Sequence, residues 1–404
     1  MGKRTLKVWN IALIITAFAL TIFGTLLTRS GVLASVHTFG ASAVGPMFVG
    51  MLIFLIIGSA SLLWYRLPQL QSDHELHSMV SRESSFLLNN LLLVGAAFAV
   101  FWSTVFPLIS EAVRGVKVTV NAPFFNQVEG PILLGLVILM GICPLIGWRR
   151  ASTENPLRNF TCPLAVAVLS APILYFVVGV HVIYAVVAFS ACAFVLTSLL
   201  LEFFRGIRAK HKLTGRNYLA CLANLTWGDK PRYGGYIIHL GIILMAIGIA
   251  GSQAYKLEQE VTLDKGQEAS VGNFRLVYEG LNTYPTATKE RVDATIAVYS
   301  GSRLLGRMSP SKEFQQNQDT PKSDVAIRST PMEDLYLILN SWEGDKADLK
   351  LIVNPLVMWI WIGGWVLLLG AGIAYWPDAR ERRRVAALEA QRAAHAGALM
   401  GMEE

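Results

Sequence analysis

The sequence predicts an α-helical polytopic membrane protein of about eight transmembrane helices that carries a small β-rich extracytoplasmic domain. Three observations predict it. Of 404 residues, 53% are hydrophobic and only 16% are charged, where a soluble globular protein carries roughly a quarter. Apolar stretches of about 20 residues, the length a helix needs to cross the hydrocarbon core, recur along the chain. Lys and Arg gather in alternate connections between those stretches, the asymmetry that orients membrane helices.

The spans are expected at 9–28, 45–65, 86–108, 129–148, 161–180, 182–204, 233–253 and 353–376. The run after MGKRTLKVW is too long for the apolar region of a signal peptide and lacks a small-x-small cleavage site, so it reads as a true span. Gly179 and His181 mark the turn that divides the fifth span from the sixth. Lys3, Arg4 and Lys7 precede the first span, and Arg66 and Arg82 follow the second. Arg149, Arg150 and Arg158 follow the fourth, seven Lys/Arg between 205 and 232 follow the sixth, and Arg380 and Arg382–Arg384 follow the last. With eight spans all of these share one side, so both termini are expected in the cytoplasm of a bacterium, with the chain in its inner membrane.

Residues 254–352 then fall outside. Their strand-like runs, EVTLDKG, NFRLVYEG, VDATIAVYSG, SDVAIRS and DLYLILNSW, alternate apolar and polar positions between turn residues. The expected organisation is a seven-span bundle over 1–253, the outer β-domain over 254–352, a last span over 353–376 and a cytoplasmic tail over 377–404. The outer segment holds 12 Lys/Arg and 15 Asp/Glu, so the overall net charge of +7 arises in the short loops. That distribution fits contact with membrane lipid and speaks against a nucleic-acid groove. The cysteines at 143, 162, 192 and 221 form no CxxC pair, which argues against a thiol oxidoreductase, and without CxxCH the chain is no c-type cytochrome.

The histidines are the candidate chemistry. His74, His77 and His211 in inner loops and His395 in the tail read as solvated residues. His239 lies well inside the seventh span, in YGGYIIHLGI. An ionisable side chain at such depth is expensive and marks a functional hypothesis. Imidazoles on facing helices can hold a b-type haem, and Gly234, Gly235, Gly241 and Gly248 would admit either a flat macrocycle or a neighbouring helix. A histidine hydrogen-bonded to another helix is the plainer alternative. His37 stands just beyond the first span on the outer side, and His181 is the other outer histidine, a nominal partner for it. Arg29 can pair with a carboxylate such as a haem propionate or snorkel at the interface. Trp359, Trp361 and Trp365 read as an interfacial aromatic belt.

Taken together, TIFGTLLTRSGVLASVHTFG, NNLLLVGAAFAVFWSTVFP with VNAPFFNQV, YGGYIIHLGI, the outer β-domain and NPLVMWIWIGGW resemble the C-terminal part of the CcmF family of cytochrome c biogenesis proteins. The resemblance implies a haem lyase component of cytochrome c assembly, receiving haem from CcmE and delivering it to apocytochrome c presented with a CcmH-type protein. It implies that His37 is an axial ligand of the incoming haem at the outer face. It likewise makes His239 an axial ligand of a resident haem b that reduces the incoming iron. The family's tryptophan-rich WWD segment has no counterpart here, so the second ligand of each haem is expected from a WWD-containing N-terminal part or a separate subunit. The other readings are a membrane transporter, for which no internal repeat speaks, and a docking subunit whose outer domain binds a partner.

Overall fold

The computed structural model describes residues 7–29, 44–70, 82–145, 154–285, 289–315 and 321–377, with Ala387. The chain divides into two compact units, Met1–Leu136 and Val137–Glu404. The first holds α1 (Lys7–Arg29), α2 (Val44–Leu70), α3 (Arg82–Arg114) and the start of α4 (Ala122–Ile142). The second holds the rest of α4, α5 (Glu154–Pro172), α6 (Ile183–Thr214), α7 (Tyr218–Gly228), α8 (Lys230–Tyr255), ten strands and α9 (Met358–Tyr375). Among the described residues eight helices are long and apolar enough to cross a membrane, all of these except α7.

In the first unit α1 packs on α2, and the Phe23 and Phe101 rings, 5.4 Å apart, tie α1 to α3. In the second, α5 passes into one π-helical segment, Ile173–Val178, which Gly179 closes at φ 80° where a left-handed residue is required. The expected division between spans five and six falls there. The expected sixth span ends at 204, but α6 continues to Thr214. RGIRAKHKLT has no proline and consists largely of good helix formers. Gly215, at φ 64°, stops it by donating its N–H to the His211 carbonyl, and Asn217 starts α7 by accepting the Leu219 N–H.

Helices α8 and α9 pack backbone to backbone. Gly234, Gly241 and Gly248 recur every seven residues on α8; Gly234 meets Gly370 and Gly241 meets Gly363, also seven apart on α9, while Gly248 meets Leu356 and Ile360. A Cβ on Gly241 would stand 2.6 Å from the Gly363 carbonyl oxygen, and one on Gly370 would stand 2.6 Å from the Ile238 nitrogen. Backbone lies against backbone, the arrangement that small residues permit where lipid offers no hydrophobic drive for helix association. The sequence-level alternatives for these glycines are thereby decided at three of the four positions: a helix occupies them. Gly235 alone faces open space.

The strands build a two-sheet sandwich. They are β1 (Leu257–Leu263), β2 (Glu268–Val271), β3 (Phe274–Pro285), β4 (Lys289–Ser300), β5 (Arg303–Met308), β6 (Ser311–Gln315), β7 (Lys322–Asp324), β8 (Ala326–Ser329), β9 (Glu333–Glu343) and β10 (Lys346–Pro355). One antiparallel sheet has the order β1-β10-β9-β8, the other β2-β3-β4-β6-β7, with β5 also paired to β4. Inward residues alternate along each strand, so Leu335, Leu337 and Leu339 of β9 and Leu349, Leu351 and Val353 of β10 face Leu276, Tyr278, Ile296 and Val298 of the second sheet, all essentially inaccessible to solvent. Strand β10 lies beyond the five strand-like runs expected from sequence, although Ala347, Leu349, Leu351 and Val353 carry the same period of two.

The sandwich is fixed to the helix pair at Leu356. That residue has φ 61°, and left-handed geometry costs a side-chain-bearing residue roughly 1–2 kcal/mol. Its N–H donates to the Met332 carbonyl at 2.9 Å, and its side chain fills the space above Gly251 of α8. Trp359 adds a second tie, donating its indole N–H to the Pro331 carbonyl at 2.9 Å. One of the three belt tryptophans is therefore a clamp between sandwich and span, while Trp361 and Trp365 stay exposed.

Two outcomes follow from these contacts. Gly241→Leu should force α8 and α9 apart and destabilise the protein by about 1–3 kcal/mol, read as a lower Tm in detergent; an unchanged Tm would refute the close seam. On the edge strand β1, hydrogen bonds from Lys256 and Lys350 hold the Glu258 carboxyl down at about 2. A carboxyl whose folded pKa is depressed contributes stability above its unfolded pKa near 4.5 and loses it as the pH falls toward about 2. Hydrogen exchange of β1 should accelerate across that window, and Glu258→Gln should remove this component at every pH within it.

Candidate functional site

His239 lies nine residues into α8, roughly 13 Å along the axis from Lys230. Two positions before Gly241, it sits about 200° around the helix from the seam with α9. The rotation of α8 is set from two sides. One is the glycine seam. The other is α6, where Tyr233, Tyr236 and Ile243 pack with Phe194, Val195 and Leu199. Phe203 closes an aromatic cluster with Tyr233 and Tyr236 at 5.3 and 5.7 Å.

A polar clamp secures the same helices. Glu202 of α6, only 12% exposed, pairs with Arg232 of α8 at 2.8 Å, and Arg232 donates from Nε to the Tyr236 hydroxyl at 3.0 Å. Arg205 approaches the same carboxylate at 3.5 Å. Sequence reading passed over Glu202, yet a carboxylate at the end of an apolar span had to find a cation nearby, and Arg232 opposite it was the available signal.

Between these constraints His239 is half-buried, and its Nδ1 is inaccessible to solvent and has no hydrogen-bond partner among the described residues. A buried polar atom left so costs about 1–3 kcal/mol. Nδ1 therefore makes no hydrogen bond to a neighbouring helix among the described residues. An orphaned imidazole nitrogen in an apolar span has the donor chemistry that suits haem iron.

The other candidates are distributed. His37 lies outside the described residues, as do His74, His77 and His395. Arg29 is the exposed last residue of α1, in the first unit, whereas His239 belongs to the second. His181 is exposed, with its ring edge-on to Tyr175 at 5.2 Å. His211 is helical rather than looped: it stacks on Tyr218 at 4.3 Å and donates from Nδ1 to the Arg216 carbonyl at 2.6 Å. Glu129 of α4 is a second intramembrane group that sequence reading left aside, with Oε1 buried and unpartnered among the described residues. A cavity of about 580 Å³ between α1, α2 and α3 is lined by apolar groups apart from Thr16 and offers no reactive constellation. No group of three or more metal-ligating side chains converges among the described residues.

Comparison with known proteins agrees with this architecture. Residues 254–355 match the family model described as the CcmF C-terminal beta-sandwich. The chain is 30% identical to the cytochrome c-type biogenesis protein CcmF of Pseudomonas fluorescens over 92% of its own length and 54% of that protein's. With CcmF of Escherichia coli strain K12 the identity is 28%, over 95% and 57% respectively. A solved structure titled Cytochrome c Heme Lyase CcmF superposes with a TM-score of 0.74 at 28% identity, covering 93% of this chain and 56% of that one. The chain therefore spans about half the length of the curated relatives it matches, and the fold of that half, apolar helices with a β-sandwich, is shared.

Replacing an unpartnered buried nitrogen by carbon removes a cost without removing a bond. In the haem-free protein, His239→Leu should leave Tm unchanged or raise it. A loss of more than about 1 kcal/mol would mean that Nδ1 has a structural partner after all.

Proposed function

We propose that this chain, similar over nearly all its length to the C-terminal part of CcmF, is a haem-handling component of cytochrome c maturation in a bacterial inner membrane. The observation that carries the reading is the buried Nδ1 of His239 within α8, which has no hydrogen-bond partner among the described residues. His239 would supply one axial ligand to a resident b-type haem, and a WWD-containing N-terminal part or subunit would supply the other. A haem bound there adds one-electron chemistry within the bilayer, which suits thioether formation because that step needs reduced iron. The chain's own residues prepare the site: the glycine seam and the Glu202–Arg232–Tyr236 clamp hold α8 in one rotation, so the imidazole does not search for its position.

The incoming haem is the substrate. We propose His37, on the outer side after α1, as one of its axial ligands, with Arg29 at the end of α1 as a propionate contact. The arrangement of Lys and Arg supports both termini inside and the sandwich facing the periplasm. There the sandwich would meet CcmE, a CcmH-type protein and apocytochrome c. Its clamp at Leu356 and Trp359 would hold any docked partner at a set position relative to α8 and α9.

Co-expression with a WWD-containing partner, followed by reduced-minus-oxidised spectra of the purified complex, tests both sites. His239→Ala should abolish the b-type signal while the complex still assembles; a retained signal sinks the ligand role. His37→Ala should keep that signal but drop a reporter cytochrome c to background, and normal maturation would remove His37 from the site.

A further inference from the structure

Helix α6 is too long for its span. Its 32 residues extend about 48 Å, against a hydrocarbon core of about 30 Å. The last turns therefore project beyond it, and α7 folds back along them. Leu225 of α7 reaches the surface that Gly206 leaves open, and Lys210 of α6 donates from Nζ to the Asn224 carbonyl at 3.1 Å. This hairpin returns the chain to the start of α8, where Lys230 donates from Nζ to the Pro377 carbonyl beyond α9 at 3.3 Å.

Two ammonium groups thus stand at one corner. A Cβ on Gly228 would lie 3.8 Å from Lys210 Nζ, and Lys230 Nζ lies 5.3 Å above the Trp227 ring. Both lysines bond here to carbonyl oxygens, so neither charge is neutralised by these contacts. Arg205 and Arg232, by contrast, are already committed to Glu202. Over residues 202–232 seven Lys/Arg face only Glu202 and Asp229. Beneath Lys230, Trp227 and Trp376 meet edge to face at 6.4 Å, and both remain more than half exposed. Indole rings prefer the headgroup level of a bilayer, which sets this corner at the depth of the lipid phosphates.

We propose that the corner formed by α7, the start of α8 and the end of α9 is a binding site for an anionic phospholipid, with Lys210 and Lys230 holding the headgroup phosphate and the Trp227–Trp376 pair seating the glycerol and upper acyl region. Basic pockets between helices at the inner face take such headgroups, and the charge excess selects anionic over zwitterionic lipid. The inference shares the inner-side placement of this segment with the proposed function but is independent of haem.

The test uses the haem-free full chain in vesicles. Tryptophan fluorescence is recorded with brominated phosphatidylglycerol or brominated phosphatidylcholine as the quenching lipid, which gives the preference for the anionic headgroup. The native chain should prefer phosphatidylglycerol. Lys210→Gln with Lys230→Gln should lower the preference about fivefold per lysine, and Lys210→Arg with Lys230→Arg should retain it. Lys212→Gln with Arg216→Gln, at the far tip of the hairpin, should leave it unchanged. If the double glutamine variant fails to fold, Lys230→Gln alone, which keeps the Lys210 tie between α6 and α7, reads the same ratio. A preference that survives removal of Lys230, or that falls equally in the tip variant, overturns the site in favour of undirected surface charge. These results do not depend on any haem spectrum, so the two readings can fail separately.

Discussion

The C-terminal unit depends on one contact, the approach of the α8 and α9 backbones along Gly234, Gly241, Gly248, Gly363 and Gly370. In lipid, apolar side chains gain little by leaving one apolar surface for another, so association rests on close packing. Five residues without side chains provide it. The two helices that enter and leave the sandwich are thereby held as one body, and the β-domain between them inherits a set orientation.

That body carries consequences in both directions along α8. Toward the sandwich, Leu356 accepts a left-handed backbone because its N–H finds the Met332 carbonyl and its side chain finds the gap over Gly251. The strain is confined to the junction where a strand must become a span within three residues. Toward the other end, the aromatic cluster of Phe203, Tyr233 and Tyr236 and the buried edge of Glu202 lock α8 to α6. His239 lies between, on a helix packed from two sides. An isolated imidazole there would be a liability, and the haem proposed above would give it an iron to bind.

The proposed lipid corner belongs to the same logic. Lys230 begins α8 and touches the carbonyl beyond α9, while Lys210 closes the α6–α7 hairpin. An anionic lipid seated on both would brace the inner ends of the three helices whose packing orients His239. Lipid and haem would then act on a shared framework.

The sequence by itself determined the number of long apolar helices, the existence of a β-rich segment between the last two and the singling out of His239, because apolar length and alternation are local properties of the chain. The pattern of β10 was equally local, in Ala347, Leu349, Leu351 and Val353, and was legible though unread. The continuation of α6 was open to propensity too, since RGIRAKHKLT contains no breaker before Gly215. What only the tertiary structure decided is which neighbour each side chain meets. Gly241 looks alike beside a haem or a helix until α9 is placed against it. Trp359 looks like Trp361 until Pro331, 28 residues away, presents its carbonyl. The lack of a partner for His239 Nδ1 among the described residues is of this kind as well, since an unpartnered atom is defined by what surrounds it in space, and partners in space are not neighbours in sequence.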